Sequence, residues 1–329
     1  MVKSREIDEK SIQKLKKCIL RLKKKWLCKI VSKPKQKRHL PFRRKSITIE
    51  IEMGDSGMKL AVFYHHIVEA AAQKACEVKE ILQKLRAFGI TAVEVDLADI
   101  LAAEAAGKVF DAELREASIG ISSIYGFYEF GKKIDEAAWK RHVELAKQLG
   151  SERIMIIPGF YSSTEETIQA KEREQMLAAM TQLCRYAASH GIVPTIEDFD
   201  DCMSPIATAE QMCWFLERIP ELKVAFDTGN FMYSEEEELA AFEQLKTKIV
   251  HVHCKDRALV QAVPGEEEKQ TIAGRCMYPA AVGSGVIAME QIVKQLKQSG
   301  YEGFYTIEHF GAADQLEYMR ASAEWLLAQ

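Results

Sequence analysis

Disulfide staples are not expected in this chain. Its eight cysteines lie at 18, 28, 76, 184, 202, 213, 254 and 276, and no two form a Cys-x-x-Cys pair. At 329 residues and 47% hydrophobic, the chain can bury a core large enough to stand without staples. Reduced thiols in a cytoplasmic protein are therefore the expectation. No apolar run approaches the roughly 18 residues that a membrane-spanning helix needs. Also missing is a Gly-x-Gly-x-x-Gly turn after an early strand, the usual mark of a doubly wound dinucleotide-binding sheet.

The net charge of -3 conceals two regions of opposite sign. Residues 1–57 carry 18 Lys/Arg against 6 Asp/Glu, a net of +12. Residues 58–329 carry 27 against 42, a net of -15. The pattern predicts a basic appendage on an acidic globular body. In the appendage Ile12, Leu15, Ile19, Leu22, Trp26 and Ile30 recur at helical spacing among lysines. That predicts a basic amphipathic helix over residues 8–31, the only part expected to meet an anionic membrane surface. Lysines interrupt every candidate apolar region, so it is not read as a secretory signal. The stretch 32-SKPKQKRHLPFRRK-45 reads as linker. Met58 stands where a start codon would be natural, so residues 1–57 read as an extension from an upstream start or as non-native sequence.

From residue 58 onward, β-branched runs alternate with amphipathic helical patterns. The expected strands are 59–64, 91–96, 119–125, 153–159, 192–198, 223–229, 248–254 and 303–309. Helices are expected near 70–88, 97–117, 134–149, 164–190, 207–218, 235–246, 288–299 and 312–328. Gly89, Gly150, Gly191 and Gly300 close helices before the next strand. Eight such units predict an α/β fold, a (β/α)8 TIM barrel over 58–329.

In such a barrel the chemistry sits at the C-terminal strand ends. Four consecutive strands end in Glu197, Asp227, His253 and Glu308, one each. Carboxylates and imidazoles inside β-branched strands are costly to bury without partners. Three carboxylates and one imidazole converging on the mouth carry a formal -3 and call for one divalent cation. The oxygen-rich set suits Mn²⁺ first, with Co²⁺, Mg²⁺ or Zn²⁺ also compatible. Within 248-KIVHVHCKD-256, alternation puts His251, His253 and Lys255 on one face and Cys254 on the other. His253 is expected level with the other three ligands. His251 lies one layer deeper, as a supporting or core histidine, and Cys254 is expected to be a packed thiol.

The stretches 195-TIEDF-199, 226-FDTGN-230, 251-HVHCKD-256, 282-VGSG-285 and 307-IEHF-310, with 90-ITAVEVD-96, carry a family resemblance. In order and in combination, the chain resembles the sugar phosphate isomerase/epimerase group of xylose isomerase-like barrels across 58–329. The resemblance implies the same four metal ligands. It also implies a small carbohydrate substrate. Two departures stand out. Asn230 occupies a position where related endonucleases and some keto-sugar epimerases carry histidine. Residues 257–275 contain no histidine, so a trinuclear zinc site is not expected. The acidic body also argues against binding a nucleic-acid backbone.

The chemistry expected is proton transfer beside a carbonyl, with the metal chelating the carbonyl and an adjacent hydroxyl and stabilising an enediolate. Glu197 and Glu308 are the expected acid–base pair. Substrate contacts are expected from one of His65 and His66, and from Asn230, Lys255 and Arg257, with Glu94 expected as a ligand-orienting or substrate group; Arg257 and Arg275 are candidate phosphate receivers. Asp256 is expected to orient a ligand from behind. His309 is expected to pack against a helix. A sugar or sugar-phosphate isomerase/epimerase is the leading reading. The alternatives are a lyase or dehydratase on a keto-sugar or cyclitol, including a C-glycoside-cleaving subunit, and a non-catalytic metal-bound scaffold. A homo-oligomer is left open.

Overall fold

The computed structural model describes residues 57–329. The expected basic helix and linker lie outside the described residues. Among the described residues no helix is long and apolar enough to cross a membrane. All six described cysteines are free thiols.

Eight parallel strands form the barrel: β1 (Lys59–Phe63), β2 (Ile90–Asp96), β3 (Gly120–Phe127), β4 (Arg153–Ile157), β5 (Val193–Ile196), β6 (Lys223–Asp227), β7 (Ile249–Ala258) and β10 (Phe304–Glu308). Each pairs with the next in sequence, and β10 pairs with both β7 and β1, closing the ring. Two short strands, β8 (Lys269–Gln270) and β9 (Cys276–Ala280), branch from the end of β7 by antiparallel pairing. Outward-facing strand residues such as Val62, Val93, Ile124, Ile154 and Val224 are fully buried under the helical layer. Parallel strands covered this way need β-branched and aliphatic residues, which explains their near-continuous apolar runs. The four glycines expected to close helices all have positive φ, 75–79°.

Four local expectations need correction. First, the strand run 59–64 stops at Phe63, and Tyr64–Lys74 is already helix α1. His65 and His66 therefore stand in a helical first turn, where strand alternation does not apply. Glu69, four and three residues on, pairs with both, His65 at 3.2 Å and His66 at 3.4 Å. Such pairs support a helix. Second, the helix expected over 70–88 is two helices. Ala75 turns left-handed, and a Glu77/Glu80 capping box starts α2 (Val78–Ala87). Third, the helix expected over 97–117 is broken at Gly107 into α3 (Leu97–Ala105) and α4 (Ala112–Glu116). Fourth, β7 runs four residues past the expected 254, because its end is paired by β9.

The remaining helices are α5 (Glu136–Gln148), α6 (Glu166–Ser189), α7 (Ala209–Leu216), α8 (Glu238–Leu245), α9 (Met289–Gln298) and α10 (Gln315–Leu327). The acidic run 235–238 has four separate structural uses. Glu235 pairs with Arg275, and Glu236 accepts from the Ala209 N–H at the start of α7. Glu237 caps its own helix α8, and Glu238 accepts from the Ala288 N–H. Arg275 is thus tied to Glu235 and does not line the mouth cavity.

Candidate metal and active site at the barrel mouth

A cavity of about 480 Å³ opens at the C-terminal strand ends. Glu197 follows β5 directly, while Asp227 ends β6 and Glu308 ends β10. His253 lies within β7, opposite Asp227 in register. Glu308 does not share that level: it stands opposite Lys255, two residues further along β7. The stagger of strands in a closed barrel produces this offset.

One ligand atom from each of Glu197, Asp227, His253 and Glu308 lies within 4.8 Å of all the others. All four are buried. A second group, Glu94, His251 and His253, meets the same distance test. Its facing atoms are engaged with one another, although Glu94 Oε1 and His251 Nδ1 are buried without a hydrogen bond. Glu94 Oε2 takes His251 Nε2 at 2.7 Å and His253 Nε2 at 2.9 Å. In the first group Glu308 Oε2 and Asp227 Oδ2 are buried and make no hydrogen bond, Asp227 Oδ2 meeting only the Lys255 ammonium in an ion pair at 3.0 Å. Buried polar oxygens are normally satisfied, so Glu308 Oε2 marks a place for a cation, while Asp227 Oδ2 shares its charge with Lys255. Three carboxylates with one imidazole nitrogen fit a divalent metal ion.

The histidine is presented in a defined way. With Nε2 held by Glu94, its Nδ1 faces Glu197 at 2.5 Å and Glu308 at 3.6 Å. His251 leans on Glu94 from below and is reached by the Thr306 hydroxyl at 3.1 Å. Glu94 is fully buried and does not line the cavity, so it sits behind the histidines, away from any substrate.

Without a cation the cluster titrates abnormally. Burial, together with the charge of Asp227, raises Glu197 to about 7. Burial and the charges of Asp227 and Glu197 raise Glu308 to about 8. Burial opposes protonation of His253, yet Glu94 and Glu197 lift it well above its usual value. The same two histidines hold Glu94 well below the usual carboxylate range, overcoming its burial. Lys255 reaches Asp227 Oδ2 at 3.0 Å, Glu308 Oε1 at 2.5 Å and Asn230 Oδ1 at 2.7 Å. Despite burial, those carboxylates push its ammonium upward.

Two motif glycines have steric reasons. A Cβ on Gly229 would lie 2.6 Å from the Lys255 carbonyl oxygen, so this glycine lets the β6 turn press against β7. The turn is held by Asp227 Oδ1, which accepts from the Gly229 and Asn230 N–H groups at 2.7 and 2.8 Å. A Cβ on Gly285 would meet Asp256 Oδ1 at 2.2 Å. Asp256 accepts four backbone N–H groups, from Arg257, Gly283, Gly285 and Ile287. It fixes the 282–287 loop and touches none of the four metal-facing side chains, in contrast to the expected ligand-orienting role.

Of the other expected residues, Asn230, Lys255, Arg257 and His65 line the cavity. His66 is fully buried away from it, stacked on His309 at 4.8 Å, and burial lowers it to about 4. His309 packs edge-on against Tyr318 of α10, as expected. Cys254 is packed in the core. Sequence reasoning missed Asp200, which bridges Arg257 at 3.0 Å and Lys269 at 2.6 Å. It also missed the aromatic wall, Phe63, Tyr125, Phe127, Phe199 and Phe310. The wall's only sequence signal was large rings at or just past strand ends.

The class that fold and site define is a closed (β/α)8 barrel with four side chains near its mouth whose ligand atoms could hold a metal ion. The model of the xylose isomerase-like TIM barrel matches residues 82–329, and the chain belongs to that family. An inosose dehydratase from Geobacillus thermodenitrificans is 32% identical over 110 residues, 31% of this chain and 36% of the relative. The match thus spans about a third of the curated relative's length. Among solved structures, the probable 3-DHS dehydratase of petrobactin synthesis from Bacillus anthracis aligns over 82% of this chain and 98% of its own. Its TM-score is 0.62 at 16% identity. A 3-keto-D-glucoside 4-epimerase from E. coli aligns over 83% and 100%, with TM-score 0.59 and 17% identity.

Proposed function

We propose that this protein is a divalent-metal-dependent isomerase or epimerase that moves a proton next to the carbonyl of a sugar or keto-sugar. The observation that carries the reading is that ligand atoms of Glu197, Asp227, His253 and Glu308 lie within 4.8 Å of one another, with Glu197 and Glu308 lining the mouth cavity. These four would hold the ion, with Mn²⁺ the first choice. When bound, the ion supplies Lewis acidity toward a carbonyl and its neighbouring hydroxyl. Glu197 and Glu308 both reach the cavity, from strands separated by β6 and β7. One takes the proton from the substrate carbon and the other returns one from the opposite face, giving epimerisation. A single base acting twice on one face would give aldose–ketose isomerisation. Lys255, paired with Glu308, balances the negative charge during transfer. Asn230 holds Lys255 in place.

Dehydration is the second reading, favoured by the inosose dehydratase match and the dehydratase among the structural neighbours. It starts from the same proton removal and then expels a hydroxyl. Turnover in D₂O with Mn²⁺, followed by proton NMR and mass spectrometry, separates the two. Deuterium incorporation without loss of water supports the isomerase/epimerase. Loss of water replaces it with the lyase. No turnover of any keto-sugar or cyclitol with any divalent metal would leave the scaffold reading.

A further inference from the structure

We propose that the mouth cavity takes an uncharged glycoside bearing an apolar aglycone, and rejects phosphorylated sugars. The inference rests on the proposed sugar chemistry of the same site and adds its substrate class.

The cations argue first. Lys255, Arg257 and Lys269 line the cavity against six carboxylates, those of Asp96, Glu197, Asp200, Glu267, Glu268 and Glu308. One divalent ion would leave the lining net negative. Each of the three cations is already committed within the chain. Lys255 is held by Asp227, Glu308 and Asn230. Arg257 and Lys269 are bridged by the single carboxylate of Asp200, so both cations already face a carboxylate, with Arg257 Nε alone left without a hydrogen bond. A phosphate dianion would therefore enter a negative cavity with its natural partners taken.

The rings argue second. Phe127 and Phe310 are 52% and 40% exposed, and an exposed apolar patch rimmed by polar groups marks a ligand or partner site. Both line the cavity, with Phe199 edge-on to Phe127 at 6.0 Å. Deeper in, Phe63 and Tyr125 pack 5.5 Å apart and supply a surface for the apolar face of a sugar ring. The cavity, about 480 Å³, is larger than one pyranose fills, and the exposed outer rings are part of its lining. Flat apolar groups stack favourably there.

The test uses the full chain loaded with Mn²⁺ and calorimetric binding of three probes. They are methyl 3-keto-β-D-glucoside, its phenyl counterpart, and the 6-phosphate of the methyl glycoside. The phenyl glycoside is expected to bind about tenfold tighter than the methyl. The phosphate ester is expected to bind about tenfold weaker than the methyl. F127A/F310A should bring the phenyl glycoside down to the methyl level. D200N should release Arg257 and Lys269 and raise phosphate-ester affinity several-fold. Tightest binding by the phosphate ester, or equal binding of methyl and phenyl glycosides, overturns this proposal and leaves the sugar chemistry standing. Absence of binding by all three probes, with Mn²⁺ affinity intact, likewise overturns this glycoside proposal, and the D₂O turnover experiment decides the sugar chemistry separately.

Discussion

The two halves of the barrel mouth come from the same repeating unit and are chemically opposite. Strands β5, β6, β7 and β10 deliver Glu197, Asp227, His253, Lys255 and Glu308. Strands β1, β3 and β4 deliver Phe63, Tyr125, Met155 and Ile157, which form a small apolar cluster of their own with Ala225. The charged half pays a desolvation cost on every group and recovers it only through mutual pairing and a cation. The apolar half is stable without partners and presents surface. A cavity built this way separates chemistry from recognition: one wall can move protons while the other holds a substrate by shape. Glu94 is the exception that joins them, reaching from β2 in the first half to support both histidines of β7.

The comparison breaks most sharply if the charged half loses a base. Glu308→Gln, and separately Glu197→Gln, should lower turnover by about 10²–10⁴-fold, measured as kcat on the metal-loaded enzyme. Full activity in both variants would remove them from the chemistry. Next comes Glu94. Glu94→Gln should weaken metal binding by about 10–100-fold in a calorimetric titration, since the His253 Nδ1 lone pair is aimed by the bond on Nε2. Unchanged affinity would make Glu94 a packing residue.

Metal affinity should also rise with pH. The cluster holds protons on groups raised to about 7 and 8, and on a His253 raised well above its usual value. Each must be lost for ligation, so metal uptake releases protons and weakens as pH falls below about 8. Competition titrations at pH 6 and pH 8 should differ in that direction; equal affinities would contradict the protonated cluster.

Smaller effects come from the frame. Gly229→Ala would force the 228–230 turn away from β7 and should cost about 1–3 kcal/mol, read as a lowered Tm. The smallest is expected in the apolar half. Met155→Leu conserves volume and should cost less than about 1.5 kcal/mol with little change in kcat. A large kcat loss there would erase the division between the halves.

Much of this was legible in the chain itself. The barrel followed from strand–helix alternation, and the quartet from polar residues at four successive strand ends. Parity within 248-KIVHVHCKD-256 separated Cys254, now in the core, from Lys255 at the mouth and His253 in the four-residue cluster. Other features were not legible. Helical pairing with Glu69 took His65 and His66 out of the strand, which period-two reasoning could not foresee. The choice between a ligand-orienting and a substrate role for Glu94 stayed open in the sequence because parity reports the face of a strand and not the depth along it.

Local pattern determined which elements form and which residues face inward, because side-chain periodicity and glycine stops act over a few residues. It also determined the kinds of donor available at the mouth. Tertiary structure decided how those donors meet. Barrel stagger put Glu308 opposite Lys255 instead of His253, and closure brought Glu94 to residues 157 and 159 positions away. The bridging of Arg257 and Lys269 by Asp200 arises the same way, across strands distant in sequence. Distances between strands are set by the register and shear of the closed sheet, which no local sequence window contains.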